Sequence, residues 1–429
     1  MRRDFPQVKT LKRADAFLAH VGDLGLELPF ADPPALDALR APIEIAGRPC
    51  ANRFAVLPME GWDGTDDGRP TDLVRRRWSR FGKSGAGLVW GGEAFAVRPE
   101  GRANPHQLCL GPTSADDLAE LHGLLAPEQV TSLQLTHSGR WSVDPRPAHP
   151  DPLLDRRKTG PVLTPVELDS IADDYVVAAR LAQAAGFDFD DVKACHGYLL
   201  HELLTGAGDL ATNAYVMRTI IARVRAEGIR VGVRLSAFDL SPHRPGADGV
   251  GEPEADGPWG FNDPLALVDL LEIDLLCITA GSPYYCPHAQ RPAWFPPSDG
   301  YSPPEDPLVG VARLLACAAE ISAARPAVTV VATGFSYLQE WLPHVASAMV
   351  RDGSAALVGV GRMALSYPDL PADVLAGEPL DARRLCRTFG DCTTAPRNGL
   401  VSGCFPLDPL YKEHPHRPLL VAAKRRSRA

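Results

Sequence analysis

The chain has 429 residues, with 44 Lys and Arg against 53 Asp and Glu, giving a formal charge of −9. Apolar residues make up 45% and charged ones 23%, an ordinary globular composition that excludes a disordered, collagen-like or disulfide-dense chain. The acidic balance argues against a general nucleic-acid binder, and no apolar run reaches the roughly 18–20 residues that a membrane span needs.

The N-terminus, Met1-Arg2-Arg3-Asp4, has no apolar stretch behind it and does not read as a signal peptide. Residues 1–40 read as an arm that covers the bottom of the domain or mediates a dimer. Eight β-rich runs follow: 52–59 (NRFAVLPM), 87–95 (GLVWGGEAF), 131–137, 188–195, 230–238, 274–281, 327–334 and 355–362. Several are continuously apolar, as parallel strands covered on both faces are. Helical patterns lie between them. Thr164-Pro165-Val166-Glu167 opens one with a cap, a first-turn proline and a glutamate three residues after the cap. That helix runs to about Gly186, and 213–227 and 308–324 read similarly. Eightfold alternation of strand and helix predicts an α/β fold, a (β/α)8 barrel over residues 41–375. The long segments 139–164, 240–258 and 282–305 follow the third, fifth and sixth strands, on the face that carries active sites in this architecture. Residues 376–429 read as a C-terminal extension, with the basic run from Lys424 to Arg428 as a solvated end.

Nine scattered cysteines, odd in number, read as free thiols in a reducing cytoplasm. Cys386, Cys392 and Cys404 are separated by five and eleven residues without a C-x-x-C pair. That fails the spacing of an iron–sulfur site, and no metal is expected.

The densest polar cluster is Lys193-Ala194-Cys195-His196-Gly197-Tyr198, at the end of the fourth run. At a barrel mouth, Lys193, His196 and Tyr198 can face one cavity. Tyr198 can act as a general acid toward a carbanion, and His196 can hydrogen-bond near neutral pH. Lys193 can stabilise an oxyanion or, desolvated, serve as an amine nucleophile of a Schiff-base enzyme. The plainer alternative is that His196 caps a helix and Tyr198 packs beneath it. Arg234 lies in an apolar strand and needs an anionic partner or a barrel salt bridge. Gln134 needs partners too, on a ligand or on a neighbouring strand. Gly334, Gly361 and Arg362 end the seventh and eighth runs, where barrels place phosphate sites. Trp141, Trp259, Tyr284, Tyr285 and Trp294 are either pocket walls or loop packing.

These motifs, taken in order, resemble the old yellow enzyme family, a group of FMN-dependent ene-reductases whose barrel also occurs in 2,4-dienoyl-CoA reductase and trimethylamine dehydrogenase. The matching segments are Asn52-Arg53, Pro58-Met59, Glu93-Ala94, Pro99-Glu100-Gly101-Arg102, Gln134-Leu135-x-His137-x-Gly139-Arg140, His196-Gly197-Tyr198, Val231 to Ser236 and Gly361-Arg362. The resemblance implies that Pro58, Met59 and Ala94 pack on the flavin, with Glu60 beside it. Gln134 would bond its pyrimidine edge, and Arg234 would sit where charge develops on reduction. Gly334, Gly361 and Arg362 would hold the phosphate. Lys193 and His196 would bind the electron-withdrawing group of the substrate. The implied reaction reduces an activated C=C bond of a small molecule, with hydride from flavin N5 and a proton from Tyr198. NADH or NADPH reloads the flavin. A flavin-dependent dehydrogenase or desaturase working in the oxidative direction is the alternative. A homo-oligomer is compatible with the family.

Three departures stand out. Lys193 replaces the usual His or Tyr. Glu60 replaces the usual Cys or Thr after Pro58-Met59, so an ion pair between Glu60 and Lys193 is expected. The family's Tyr-Gly-Gly-Ser segment is missing from 206–215, which leaves the loop and dimer contacts built there without a counterpart.

Overall fold

The computed structural model describes residues 5–111, 114–151, 154–155, 159–206, 208–239 and 264–426. The expected 240–258 loop and Trp259 lie outside them.

A hairpin comes first, β1 (Ile43–Ile45) antiparallel to β2 (Arg48–Cys50). Nine parallel strands follow. They are β3 (Phe54–Val56), β4 (Leu88–Val89), β5 (Ala94–Ala96), β6 (Val130–Thr136), β7 (Phe189–Ala194), β8 (Val231–Ser236), β9 (Leu275–Thr279), β10 (Thr329–Ala332) and β11 (Leu357–Val360). Apart from β4 and β5, which both pair with β6, each pairs with the next, and β11 pairs back onto β3, so the sheet closes. This is the expected (β/α)8 barrel, and each of the eight runs carries a barrel strand.

The second run is split. Both β4 and β5 pair with β6, one below and one above a break at Gly91 and Gly92. Both glycines have positive φ, and a Cβ on Gly92 would stand 2.5 Å from the Trp78 ring. A continuous strand cannot pass this point, because only glycine tolerates that backbone so close to an indole.

The barrel interior is filled by Ala55, Leu57, Leu88, Trp90, Val130, Phe189, Leu275, Cys277, Val331 and Leu357. Ile45 and Cys50 of the hairpin belong to the same cluster, so the hairpin plugs the N-terminal end of the barrel. Among the described residues, the arm reaches this end only through Leu39, whose carbonyl accepts from Arg53 N at 2.9 Å, just before β3; its first helix packs on the outer layer. That helix, Ala14–Asp23, buries Phe17 and Val21, and Phe17 stacks on Trp341 beside the helix Leu342–Arg351. The outer layer includes the helix Pro165–Ala184, which carries the expected capping box between Thr164 and Glu167.

The helix Pro307–Ala324 is long and apolar enough to cross a membrane by length and composition, contrary to the reading of the sequence. It buries Val311, Leu314, Leu315, Ala318 and Ile321. Arg313 on it pairs with Glu305. This is the pattern of a barrel's covering helix.

The C-terminal extension docks on the helix Asp72–Gly82. Asp408 accepts from Arg76 and Arg80. Ala395, Leu400, Phe405, Tyr411 and Leu420 form a small core there against Leu73.

Candidate active site

The C-terminal rim of the barrel surrounds one cavity. It is lined by Pro58, Met59, Glu60, Gln134, Lys193, His196, Tyr198, Arg234, Gly334, Gly361 and Arg362, eleven of the twelve residues singled out from the sequence. The twelfth, Ala94, is buried in β5, where its carbonyl accepts from Gln107, and does not reach the cavity.

The inner rows of β6, β7 and β8 set the polar floor. Register places Gln134 opposite Asp191, and Lys193 opposite Arg234. The Gln134 amide donates to Asp191, so the inter-strand alternative for Gln134 is realised while the residue still lines the cavity. Burial raises the Asp191 carboxyl to about 6 against the pull of Gln134 and Arg234. Asp191 was not anticipated; its only sequence signal is an acidic pair, Asp190-Asp191, inside an otherwise apolar strand. Arg234 donates to the Pro58 carbonyl at 3.3 Å. Its Nε is buried with no partner among the described residues, so the barrel salt bridge expected as one alternative is not formed there.

Glu60 is the hub. Lys193 Nζ donates to its carboxylate at 2.7 Å, the expected ion pair. Tyr198 Oη donates to both oxygens at 2.9 and 3.0 Å, and Trp62 Nε1 to one at 3.2 Å. The ammonium also sits 3.9 Å from the centroid of the Tyr198 ring. Burial, Glu60 and Tyr284 hold the Tyr198 phenol well above its ordinary value, so it stays protonated. The loop carrying Glu60 is pinned from behind. Gly61 N donates to Glu93 at 3.2 Å, and Arg77 bridges Glu93 and Asp63.

His196 adopts a left-handed backbone, φ 67°, at the bend between β7 and the helix Leu199–Leu204. Its Nε2 lies 3.2 Å from Gln290 Nε2 and 3.5 Å from Thr279 Oγ1. Burial and the neighbouring cations Arg234 and Lys193 hold the imidazole neutral. The helix-capping alternative is not realised: Tyr198 is the capping position, and no side chain caps the helix.

Of the candidate aromatic walls, Tyr284 lines the cavity, stacked 4.1 Å from Trp141. Tyr285 turns away to Asp239. Trp294 packs on Phe5. The 282–305 segment, expected on this face, supplies Gln290 and Arg291. The extension, not read as part of the site, supplies Cys392, Thr393, Pro396 and Arg397. All nine cysteines are free. Nowhere among the described residues do three or more His, Cys, Asp or Glu side chains converge so as to hold a metal ion.

A closed parallel barrel with its titratable residues gathered at the C-terminal rim has the architecture of a barrel enzyme. Residues 38–244 match the profile of the NADH:flavin oxidoreductase / NADH oxidase family, and the likeness to the old yellow enzymes is thereby shown. An NADPH dehydrogenase of Halalkalibacterium halodurans is 28% identical over 183 residues, covering 40% of this chain and 52% of that protein. An NADH:flavin oxidoreductase of Gibberella zeae is 26% identical over 298 residues, 59% of this chain and 71% of that protein. The aligned part thus spans about half the length of the first of these. Among solved structures, the old yellow enzyme homologue of Zymomonas mobilis superposes with a TM-score of 0.58 at 21% identity, over 80% of this chain and 94% of that one. That likeness shows the fold.

Proposed function

We propose that this chain is an FMN-dependent oxidoreductase, drawing electrons from NADH or NADPH to reduce an activated C=C bond of a small molecule. The observation that carries the proposal is the convergence of Lys193, His196, Tyr198, Gln134 and Arg234 on one cavity in a chain whose first half matches the flavin oxidoreductase family. The residues fit the cofactor. Arg234 presents a buried N–H with no partner among the described residues, which suits a group that gains negative charge. Gly334, with φ 107°, lets backbone approach closely at the end of β10. Pro58, Met59, Gln134 and Arg234 would hold the ring, and Gly334, Gly361 and Arg362 the phosphate.

Bound FMN would supply hydride transfer. The protein's share is binding and proton handling. Neutral His196 and cationic Lys193 present hydrogen-bond donors to an electron-withdrawing group such as a carbonyl or carboxylate. Tyr198, kept protonated, gives its proton to the α-carbon as the carbanion forms. Glu60 neutralises Lys193, so the cavity does not carry that full charge when no substrate is bound.

One observation favours a second reading. The Tyr198 proton points at a carboxylate, an acceptor useful for drawing a proton out of a substrate. Oxidation of a specialised substrate by the same flavin is that reading. An anaerobic visible spectrum, recorded before and after NADH and then NADPH, tests both. Bleaching of a flavin band by either nucleotide supports the reductase. A flavin that both leave oxidised, but a substrate bleaches, supports the dehydrogenase. Protein that takes up no FMN overturns both.

A further inference from the structure

Three guanidinium groups gather on one wall of the cavity: Arg362 after β11, Arg291 after the short helix Pro287–Gln290, and Arg397 at the end of the helix Asp391–Arg397. Arg397 is neutralised by Asp299. Arg362 donates to the Pro292 carbonyl at 2.8 Å. Arg291 donates through Nη1 to Thr393 Oγ1, while its Nη2 is buried with no partner among the described residues. Among the described residues, neither Arg291 nor Arg362 has a carboxylate partner. Crowding by Arg397 and Arg362, on top of burial, lowers the Arg291 guanidinium to about 9. A guanidinium is costly to desolvate, and costlier beside two others, unless an anion completes the site.

A phosphate monoester carries about −1.5 to −2 charges at neutral pH. Two uncompensated guanidiniums match that charge, and the planar fork of each suits a tetrahedral oxyanion. The motif resemblance assigns the phosphate to Arg362 and two glycines only. We propose that Arg291 is a second phosphate-binding residue, so that the cofactor's phosphate is clamped from both the rim of the barrel and the 282–305 segment. Thr393, from the extension, fixes the direction of the clamp. This rests on the FMN reading. An anionic group on the substrate is the competing occupant, and flavins with and without the phosphate separate the two.

The test titrates flavin-stripped full-length protein with FMN and with riboflavin, followed by quenching of flavin fluorescence. Arg291→Gln is expected to weaken FMN at least tenfold while leaving riboflavin unchanged. Arg291→Lys, which keeps the charge but not the fork, is expected to fall between. An Arg291→Gln variant that keeps the whole preference of wild type for FMN overturns the proposal, as does one that loses both flavins equally. If Arg291→Gln does not fold, Arg291→Lys decides. A preference for FMN over riboflavin that falls below that of wild type supports the clamp. A preference equal to that of wild type overturns it. Wild-type protein that binds neither flavin overturns the FMN reading itself, an outcome distinct from a preference that survives Arg291→Gln.

Discussion

Glu60 and Lys193, 133 residues apart, meet at 2.7 Å across the mouth of the barrel, and the same carboxylate accepts the hydroxyl of Tyr198. Lys193 is 3% exposed and Glu60 15%. Removing Glu60 strands the Lys193 ammonium in a place where it cannot be solvated. Glu60→Gln is expected to destabilise the fold by about 3 kcal/mol, the cost of leaving a buried ammonium unpaired. Lys193→Met is expected to cost less, because Glu60 retains Trp62, Tyr198 and some solvent. A double-mutant cycle by urea unfolding checks the link: a coupling of about 1–3 kcal/mol is expected for groups in direct contact. Strictly additive effects would show that the pair does not interact.

Tyr198→Phe removes the proton donor and one of the hydrogen bonds on Glu60. The half-reaction with an activated alkene is expected to slow by about 10²-fold or more, the usual contribution of a positioned general acid. Bleaching of the flavin by NAD(P)H requires no proton from this phenol and should hold its rate. Stopped-flow measurement of the two half-reactions separates them. Equal slowing of both would place Tyr198 in flavin binding instead.

Much of this site was legible because its residues sit at strand ends, inside short motifs whose order survives. Even the Glu60–Lys193 pair could be expected, since both residues depart from the family pattern at positions facing one cofactor. Arg291, Thr393 and Arg397 were not legible. They come from a proline-rich segment and a short helix of the extension, Asp391–Arg397, with no motif or apolar period to announce them. They reach the cavity only because Asp408 and a five-residue core dock the extension on Leu73, Arg76 and Arg80. The break of the second strand was written as Gly91-Gly92, but its cause, the Trp78 ring at 2.5 Å from a Cβ on Gly92, is a tertiary contact. Ala94 misses the cavity just after that break.

The docking of the extension gives a third prediction. Asp408 is 1% exposed. It accepts from Arg76 and Arg80 and also caps the next helix through Leu410 N at 3.1 Å. Asp408→Ala strands two guanidiniums and uncaps the helix, at a combined cost of about 3–5 kcal/mol. That is enough to undock the segment without opening the barrel. Limited proteolysis should then cut after the helix Leu370–Ala376 much faster than in wild type, while the barrel fragment persists. FMN affinity should fall with it, since Thr393 and Arg397 leave the cavity wall. A variant as resistant as wild type would show that the extension is held by its apolar core alone.

Gly92→Ala tests the break in the second strand. The added methyl meets the Trp78 ring, and the backbone there is left-handed. Strain and overpacking together should cost about 2–4 kcal/mol, read as a lower urea midpoint with an unchanged slope. A second change, Trp78→Leu, should recover part of the loss by opening space. Failure of Trp78→Leu to recover any of it would assign the cost to the backbone alone.

Asp190 gives a prediction whose sign depends on pH. It is 1% exposed, and neither carboxylate oxygen has a partner among the described residues. Burial, with Asp191 adding to it, raises the carboxyl well above its ordinary value. The folded chain therefore holds a proton that the unfolded chain releases at lower pH. A raised acid costs stability that is absent below the unfolded value near 4 and grows as pH climbs toward the folded value, by about 1.4 kcal/mol per pH unit. Asp190→Asn removes the titration and keeps the shape. Relative to wild type, the variant should gain stability steadily between pH 5 and pH 7, and the gain should fade toward pH 4. Urea unfolding at the three pH values reads it. A difference between the two proteins that does not change with pH would mean that Asp190 is not held protonated by the fold.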